Sequence, residues 1–336
     1  MSLLPATPEG LAEAVRHLRA GGVLGLPTET VYGLAAAADD PTAVARVFAT
    51  KGRPADHPLI VHLAAAAPVT PWVREWPVAA QRLAAAFWPG PLTLVVPKSD
   101  AVLPAVTGGQ DTVALRVPAH PVAQAVLEAF GGALVAPSAN RYGRLSPTRA
   151  ADVELEFGAA VPVVDGGECA VGLESTIVAC LGGEVRVLRP GVITPGALSR
   201  AVGGEVLVGA DSAAPRVPGA VKAHYAPRTP LEVVPQHLLP QRLTAVPGAC
   251  VVVRAATLNA AAQESWVLHA AAAGRLVALP DLPEGFGQRL YATLRDLDAV
   301  GAPRLLVEAP PAGEAWAAAR DRLARAAAAG ELESAD

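Results

Sequence analysis

The feature that most constrains the fold of this chain is an alternation of amphipathic helices with short apolar strands. Thr7 can cap a helix that begins at Pro8 and ends at the glycine pair 21–22, and a buried strand at 23–26 follows. The same pattern predicts further helices at 41–51, 79–87 and 121–130, and further strands at 59–63, 92–96, 113–117 and 134–136. Because parallel strands need crossover helices between them, the alternation predicts an α/β domain.

A later segment indicates that the sheet of this domain is mixed. Strands at 176–179 and 185–188 are joined through Gly182 and Gly183, which is typical of a hairpin. A hairpin pairs its strands antiparallel, whereas strands joined by a helix commonly pair in parallel. We therefore expect a twisted mixed sheet flanked by helices.

The pattern lapses between residues 204 and 230, and this lapse divides the chain. The stretch is rich in Pro and Gly and has little periodicity, which favours a linker. A second α/β run follows, with predicted strands at 231–234, 250–253, 276–279 and 305–307 and predicted helices at 288–300 and 313–328. A chain of 336 residues is also too long for one ordinary core. The predicted domains are therefore 1–203 and 231–336, with 204–230 as the linker.

Composition and charge narrow the class of protein. The chain is 52% apolar and 17% charged, which predicts a globular fold. Its net charge of −4 argues against a surface dominated by nucleic-acid contacts, so any RNA contact should be local and weak. The spacing of Cys169, Cys180 and Cys250 fits neither a zinc site nor a redox pair, so we expect reduced, buried thiols. No stretch resembles a signal peptide or a membrane span, which favours the cytoplasm and no membrane partner.

The motifs of common cofactor sites are absent from the sequence. It contains no P-loop, no strand followed by a dinucleotide fingerprint, no H-E-x-x-H pair and no serine-hydrolase elbow. His57 and His62 flank a predicted strand and do not share a helical face. We therefore expect neither an organic cofactor nor a built-in transition-metal site.

Three polar clusters lie at the ends of predicted elements, at 27–33, 51–54 and 136–140. Each has an ordinary structural explanation, because hydroxyls and Asn cap helices and close turns, and cations balance the end of a helix dipole. Together, however, they place Lys51 and Arg53 with several small hydroxyls on loops near strand ends, where α/β folds bind ligands. The residues alone therefore indicate an α/β protein that binds an anionic small molecule.

A family resemblance makes this interpretation more specific. The runs that carry it are PTETVYGL (27–34), KGRPADHPL (51–59), FWPGPLTLV (87–95), LRVP (115–118), APSAN (136–140), SPT (146–148), LEST (173–176), LRPG (188–191) and HYAP (224–227). In this order, across roughly residues 8 to 230, they resemble the threonylcarbamoyl-AMP synthase family. The resemblance implies a YrdC-like twisted mixed sheet with helices, and the remaining stretch resembles the smaller α/β, Rossmann-like C-terminal domain of the long form.

The resemblance also implies an activity and its partners. It implies a nucleotidyltransferase that joins L-threonine, bicarbonate or CO2, and ATP into threonylcarbamoyl-AMP and pyrophosphate, for threonylcarbamoyladenosine modification of tRNA. Mg2+ is expected to arrive with ATP and to be held mainly by its phosphates. A separate threonylcarbamoyl transferase complex is expected to receive the product.

Site residues carry over from the resemblance position by position. The implied catalytic residues are Lys51 and Arg53. The implied threonine-binding residues are Thr30, His62, Arg116, Ala136 and Ser175. The implied ATP-binding residues are Arg53, His57, Thr112, Ser138, Asn140, Ser146, Arg189 and Tyr225. His57 departs from the asparagine usual in the family, and Tyr225 lies in the linker, which we expect to close as a lid.

Two rival functions stay open at this point. An RNA-binding module of the same pathway without synthase activity would use Lys51 and Arg53 on phosphates, although the acidic balance disfavours it. A carbamoyl-phosphate-using transferase, like hydrogenase maturation factors, would need additional modules whose cysteine pairs this sequence lacks.

Overall fold

The structure is a computed structural model that describes residues 3–209 and 214–333. The chain divides into two units. The first unit comprises Met1–Tyr142, Ser146–Ala170 and Glu174–Ala220. The second comprises Gly143–Leu145, Val171–Leu173 and Val221–Asp336. Two short stretches that precede residue 174 thus group with the C-terminal unit.

The first unit contains eleven strands and seven α-helices among the described residues. The strands are β1 (Leu3–Pro5), β2 (Leu24–Leu26), β3 (Gly33–Ala37), β4 (Ile60–His62), β5 (Leu92–Pro97), β6 (Thr112–Arg116), β7 (Leu134–Val135), β8 (Val163–Asp165), β9 (Thr176–Leu181), β10 (Glu184–Arg189) and β11 (Leu207–Val208). The helices are α1 (Pro8–Arg19), α2 (Pro41–Lys51), α3 (Val78–Phe87), α4 (Pro104–Thr107), α5 (Pro121–Phe130), α6 (Ala150–Phe157) and α7 (Pro195–Val202).

The strands of this unit form one mixed sheet, as predicted. Its order is β1-β8-β2-β3-β7-β4-β6-β5-β9-β10-β11. β4 pairs in parallel with β6, and β5 pairs in parallel with β9. The predicted hairpin is the antiparallel pair β9–β10. The mixed pairing confirms the predicted fold class.

The two faces of the central strands differ in what covers them. On β6, Val113 and Leu115 enter the main core, which also contains buried residues of α2, α3 and α7. Ala114 lies on the other face, in a small cluster with Ile60 and Val95 whose remaining buried members come from β9, β10 and Val217. Because side chains alternate along a strand, Thr112 and Arg116 share this second face with Ala114. The buried apolar residues of this second cluster therefore come from the strands and from one loop residue, Val217.

Helices α1 and α2 each begin with a proline that directly follows a capping residue, which explains where they start. The Thr7 hydroxyl accepts a hydrogen bond from the Gly10 amide at 3.3 Å before α1. The Asp40 carboxylate accepts from the Thr42 amide at 2.8 Å before α2. Pro at the first helical position needs no donor there, so both starts satisfy their backbone groups. α2 ends at Gly52, whose φ of 63° is left-handed, and this fixes Lys51 at the helix end.

The second unit is a smaller parallel α/β fold. Its strands are β12 (Leu231–Val234), β13 (Cys250–Arg254), β14 (Leu276–Leu279) and β15 (Leu305–Glu308), and its helices are α8 (Leu239–Ala245), α9 (Ala255–Ala260), α10 (Ser265–Ala272), α11 (Pro283–Asp298) and α12 (Ala317–Glu333). The strand order is β12-β15-β13-β14, with all three pairings parallel. This confirms the predicted C-terminal α/β domain.

The predicted burial of the three cysteines is confirmed. Cys169, Cys180 and Cys250 are free and buried. Among the described residues, no helix combines the length and apolarity that crossing a bilayer requires.

The Asp40 cap generates a test of how α2 is held. Asp40→Ala leaves the Thr42 and Ala43 amides without their acceptor, so the free energy of unfolding should fall by about 1 kcal/mol. Urea denaturation followed by circular dichroism measures this change. The neighbouring exposed Asp39 is the matched control, and an equal loss in Asp39→Ala would contradict a capping role.

Candidate active site

Polar side chains form a row across five adjacent strands on the second face of the first unit's sheet. In the pairing register, His62 lies opposite Arg116, and Arg116 lies opposite Thr93. The Thr93 and Ser175 hydroxyls are 2.7 Å apart, and Nη2 of Arg189 donates to the Ser175 hydroxyl at 3.2 Å. All five residues are buried. The structure thus brings together four sequence-predicted site residues and adds Thr93, which the sequence did not suggest.

The guanidinium of Arg116 is held by the loop that follows β2. Its Nη1 donates to the Thr30 hydroxyl at 2.8 Å, and its Nη2 donates to Oε1 of Glu29 at 2.7 Å. The other carboxylate oxygen of Glu29 accepts from the Ala119 amide at 3.0 Å. Within the described part of the chain, Arg116 Nε is buried without a hydrogen-bond partner. One donor of an oriented cation therefore faces no protein acceptor.

Glu29 is a second residue of this group, besides Thr93, that the sequence did not suggest. It lies inside the 27–33 cluster, between Thr28 and Thr30, whose hydroxyls are the more obvious ligand-binding groups. In the sequence, the signal for Glu29 is a carboxylate among small polar residues. In the structure, Glu29 is 8% exposed, and a charged side chain is rarely buried so deeply unless it is paired. Its partner, Arg116, is 87 residues away, so only the fold reveals the pair.

His62 is neutral over the ordinary pH range. Burial, and then the positive charge of Arg116, lower the pKa of His62 to about 3. Its Nδ1 lies 3.2 Å from the Ile60 carbonyl oxygen, which can only accept, so Nδ1 carries the ring proton. Nε2 is then an acceptor beside the Arg116 cation.

A second group lies where the 136–140 loop meets the end of α2. The Lys51 ammonium donates to the Ser138 carbonyl and, at 2.6 Å, to the Asn140 carbonyl. Burial, and then the nearby charge of Arg53, hold the pKa of Lys51 well below its usual value. Lys51 therefore ties the 136–140 main chain to α2 as well as bringing a nitrogen to this end of the site. Ala136 begins this loop, and its amide donates to the Ile60 carbonyl at 3.2 Å.

Arg53, His57 and Thr112 lie toward the amino ends of β4 and β6. Arg53 Nη2 donates to the Pro58 carbonyl at 2.9 Å, two residues before β4 begins, and Thr112 is the first residue of β6, which pairs in parallel with β4. Burial, and then the charge of Arg53, lower the pKa of His57, which leaves this ring neutral at pH 7. Thr112 and Arg116 are four residues apart on one strand, about 13 Å at the usual rise. The face thus has two ends, one near Arg53 and one near Arg116.

Ser146 and Arg189 fix the loop that carries Ser175. The Ser146 hydroxyl donates to the carboxylate of Glu174, and Arg189 Nη2 also donates to the Ser175 carbonyl at 2.9 Å. Gly191 allows this close approach, because a Cβ there would lie 2.3 Å from the Thr176 amide nitrogen. The SPT, LEST and LRPG runs, which are far apart in sequence, therefore form one connected group.

Tyr225 belongs to the second unit, where it is buried. Its ring lies 4.1 Å from the His224 ring and 6.0 Å from the Tyr291 ring, and the Arg322 guanidinium lies over it at 5.3 Å. Its φ of 59° is left-handed, which is unusual for a residue with a large side chain. Its contact with ATP and the lid function of the linker stay predictions.

No protein-built metal cluster is evident. The part of the chain that the structure describes contains no group of three or more His, Cys, Asp or Glu side chains placed to hold a metal ion. The cations at the two ends of the face instead suit anionic groups, including a metal-bound polyphosphate.

Fold and site together define an α/β protein with a row of buried polar and cationic side chains on one face of a mixed sheet. A family model described as telomere recombination (Sua5_yciO_yrdC) matches residues 16–191. A second model, described as threonylcarbamoyl-AMP synthase, C-terminal domain, matches residues 192–328. The chain belongs to the Sua5/YciO/YrdC family and carries the C-terminal domain of its long form, which confirms the resemblance.

Individual relatives agree with this assignment. The chain is 42% identical over 227 residues to threonylcarbamoyl-AMP synthase of Pyrococcus abyssi, and 33% identical over 348 residues to that of Schizosaccharomyces pombe. The first match spans 66% of this chain and 66% of the relative, and the second spans 90% and 84%. A crystal structure of P. abyssi Sua5 complexed with L-threonine superposes with a TM-score of 0.87 at 31% identity, covering 98% of both chains.

The buried His62 generates a test of pH dependence. Its folded-state pKa lies below its ordinary value of 6.5, so the unfolded chain binds more protons between about pH 3 and 6.5. His62 therefore lowers the free energy of unfolding as pH falls through that window, by up to about 1.4 kcal/mol per pH unit. His62→Gln should remove this slope in urea denaturation between pH 4.5 and 6.5.

Exposed His237 provides the control for this measurement. His237→Gln should keep the slope of the unchanged protein. If His62→Gln also kept it, His62 would not be the buried neutral group described above.

Proposed function

We propose that this chain is an L-threonylcarbamoyladenylate synthase, a nucleotidyltransferase that forms threonylcarbamoyl-AMP and pyrophosphate from L-threonine, bicarbonate or CO2, and ATP. The observation that carries the proposal is the pairing of Arg116 with Glu29 and Thr30 on the sheet face that also carries Thr112. The names of the relatives, and the threonine bound to P. abyssi Sua5, support the same reaction.

Threonine fits the end of the face around Arg116. Its carboxylate would meet Arg116, whose Nε is buried without a protein acceptor in the described structure. The small hydroxyls of Thr30 and Ser175 and the acceptor Nε2 of His62 suit the substrate hydroxyl and amine. Ala136 would add a main-chain contact. The site thereby offers one partner for each polar group of threonine.

ATP fits the end around Arg53. Arg53 and Lys51 would meet the phosphates, and the negative charge of a triphosphate would raise the pKa of Lys51 toward its ordinary value. The hydroxyls of Thr112, Ser138 and Ser146, with the Asn140 amide and Arg189, would hold the remaining polar atoms of the nucleotide. His57 and Tyr225 would also contact the nucleotide.

The chemistry requires positioning of two anions. The threonine amine adds to CO2 and loses a proton, and a carbamate oxygen then bonds to the α-phosphorus while the bond to pyrophosphate breaks. Fixed cations at both ends offset the repulsion between carbamate and triphosphate, so no protein nucleophile is needed. Mg2+ bound to the triphosphate would supply further positive charge at the leaving pyrophosphate.

We place this reaction in the cytoplasm, upstream of a separate threonylcarbamoyl transferase complex that consumes the product. The mixed anhydride is reactive toward water, so transfer to tRNA must follow closely. Direct tRNA contact would be weak, because the chain carries a net charge of −4.

Arg53 provides the direct test of the synthase. Arg53→Ala should lower threonine-dependent pyrophosphate release from ATP and bicarbonate by about 100-fold or more, because one charged transition-state contact is lost. Exposed Arg74 is the matched control, and Arg74→Ala should stay within about twofold. Pyrophosphate release that needs no threonine, or salt-sensitive RNA binding without any release, would contradict the proposal.

Glu29 provides a test of how Arg116 is positioned. Glu29→Gln removes the counter-charge of Arg116, so the KM for threonine should rise about tenfold or more while the KM for ATP changes little. Exposed Glu13 on α1 serves as control, and Glu13→Gln should change neither value. An equal rise in both KM values, with a lower melting temperature, would indicate a purely structural role for Glu29.

A further inference from the structure

The second unit contains a cavity of about 660 Å³ that none of the site residues above lines. One wall is the edge strand β12, and the opposite wall is a single face of α12 formed by Arg320, Leu323, Ala324 and Ala327. These four positions follow the three- and four-residue spacing of one helical face. Cavities of this volume are typical of small-molecule sites in proteins.

The strand wall offers main-chain groups as well as side chains. The Pro230 carbonyl accepts from the Leu305 amide of β15, and the Val234 carbonyl accepts from the Ala309 amide directly after β15, at 2.9 Å each. Because hydrogen-bonding direction alternates along a parallel strand, Leu231 and Val233 direct their amides and carbonyls toward the free edge of β12. Both residues line the cavity, so their main-chain groups are candidate neutral donors and acceptors for a ligand beside the charged side chains.

The charges that line the cavity do not cancel. Arg242 donates to both oxygens of Glu232 at 2.8 and 2.6 Å, and Arg304 lies 3.5 Å from the same carboxylate. Arg320 donates to the carbonyls of Pro311 and Gly313. Three arginines and a single glutamate therefore line the cavity, which leaves an excess of two positive charges among its lining residues.

The remaining lining is apolar and small. Leu323, Ala324 and Ala327 from α12 line the cavity together with Pro310. The two alanines leave room that a longer side chain would fill, and partly exposed guanidiniums lie beside this apolar surface. Planar guanidinium groups match carboxylate and phosphate oxygens, whereas an apolar floor favours a hydrocarbon chain or ring.

We propose that this cavity binds a small organic anion, with a carboxylate or phosphate group at the arginines and an apolar body against α12. The lining residues of this cavity include none of the residues assigned above to threonine or ATP. The arginines supply charge and orientation, and Ala324 and Ala327 supply the space.

The test uses the full chain and three ring compounds that differ in their head group. Isothermal titration calorimetry with phenyl phosphate, phenylacetate and uncharged benzyl alcohol distinguishes phosphate, carboxylate and purely apolar binding. At least one of the two anions should bind saturably, with a Kd below about 1 mM and at least tenfold more tightly than benzyl alcohol. The same titrations in Arg53→Ala should give the same Kd, which separates this cavity from the proposed nucleotide site.

Two variants of different kinds locate the binding. Arg304→Ala removes a charge, and Ala324→Leu fills the floor while keeping every charge, so each should weaken anion binding by about tenfold or more. Arg289→Ala, an exposed arginine on α11 of the same unit, should leave binding unchanged. The proposal is overturned if neither anion binds saturably, if benzyl alcohol binds as tightly, if both variants keep full affinity, or if Arg53→Ala abolishes binding.

Discussion

The buried contact of Arg116 with Glu29 and Thr30 is the interaction on which the proposed active site depends. A guanidinium this deeply buried would cost several kcal/mol if it had no counter-charge. Glu29 supplies that charge and also accepts from the Ala119 amide, so the 27–33 loop is fixed over the sheet face. The cation is therefore oriented before any ligand arrives, which is how a site avoids reorganisation during reaction.

The mixed sheet likewise holds the polar side chains of the site in place before any ligand arrives. Antiparallel and parallel neighbours place His62, Arg116 and Thr93 level with one another across three strands. Along β6, Thr112 and Arg116 share one face about 13 Å apart, which separates the proposed threonine end from the proposed nucleotide end. Two mutually repelling substrates can then approach from opposite ends of one surface.

Local signals in the sequence predicted most of the elements, but long-range pairs stayed hidden. The cap at Thr7 and the apolar runs of β12 and β14 gave boundaries that the structure confirms, because these depend only on nearby residues. Helix α11 begins at Pro283 and not at 288, since the proline start outweighs the weak periodicity there. β3 was missed because its Gly-Ala-rich sequence has little strand propensity by itself.

The site shows the same division between local and distant information. Motif resemblance selected Arg116, Ser175 and Arg189, which the fold does bring together. It could not reveal Glu29 as the partner of Arg116, because the pair forms only when distant segments meet. Nor could it show that the Lys51 ammonium donates to two main-chain carbonyls, which makes Lys51 a structural tie as well as a cation.

A crystal structure with L-threonine and a non-hydrolysable ATP analogue tests the central claim most directly. Both ligands should lie on the sheet face that carries Thr112 and Arg116. The threonine carboxylate should be at hydrogen-bond distance from Arg116, and the triphosphate should lie at Arg53. Threonine bound away from Arg116, or a nucleotide bound on the opposite face or only in the second unit, would contradict it.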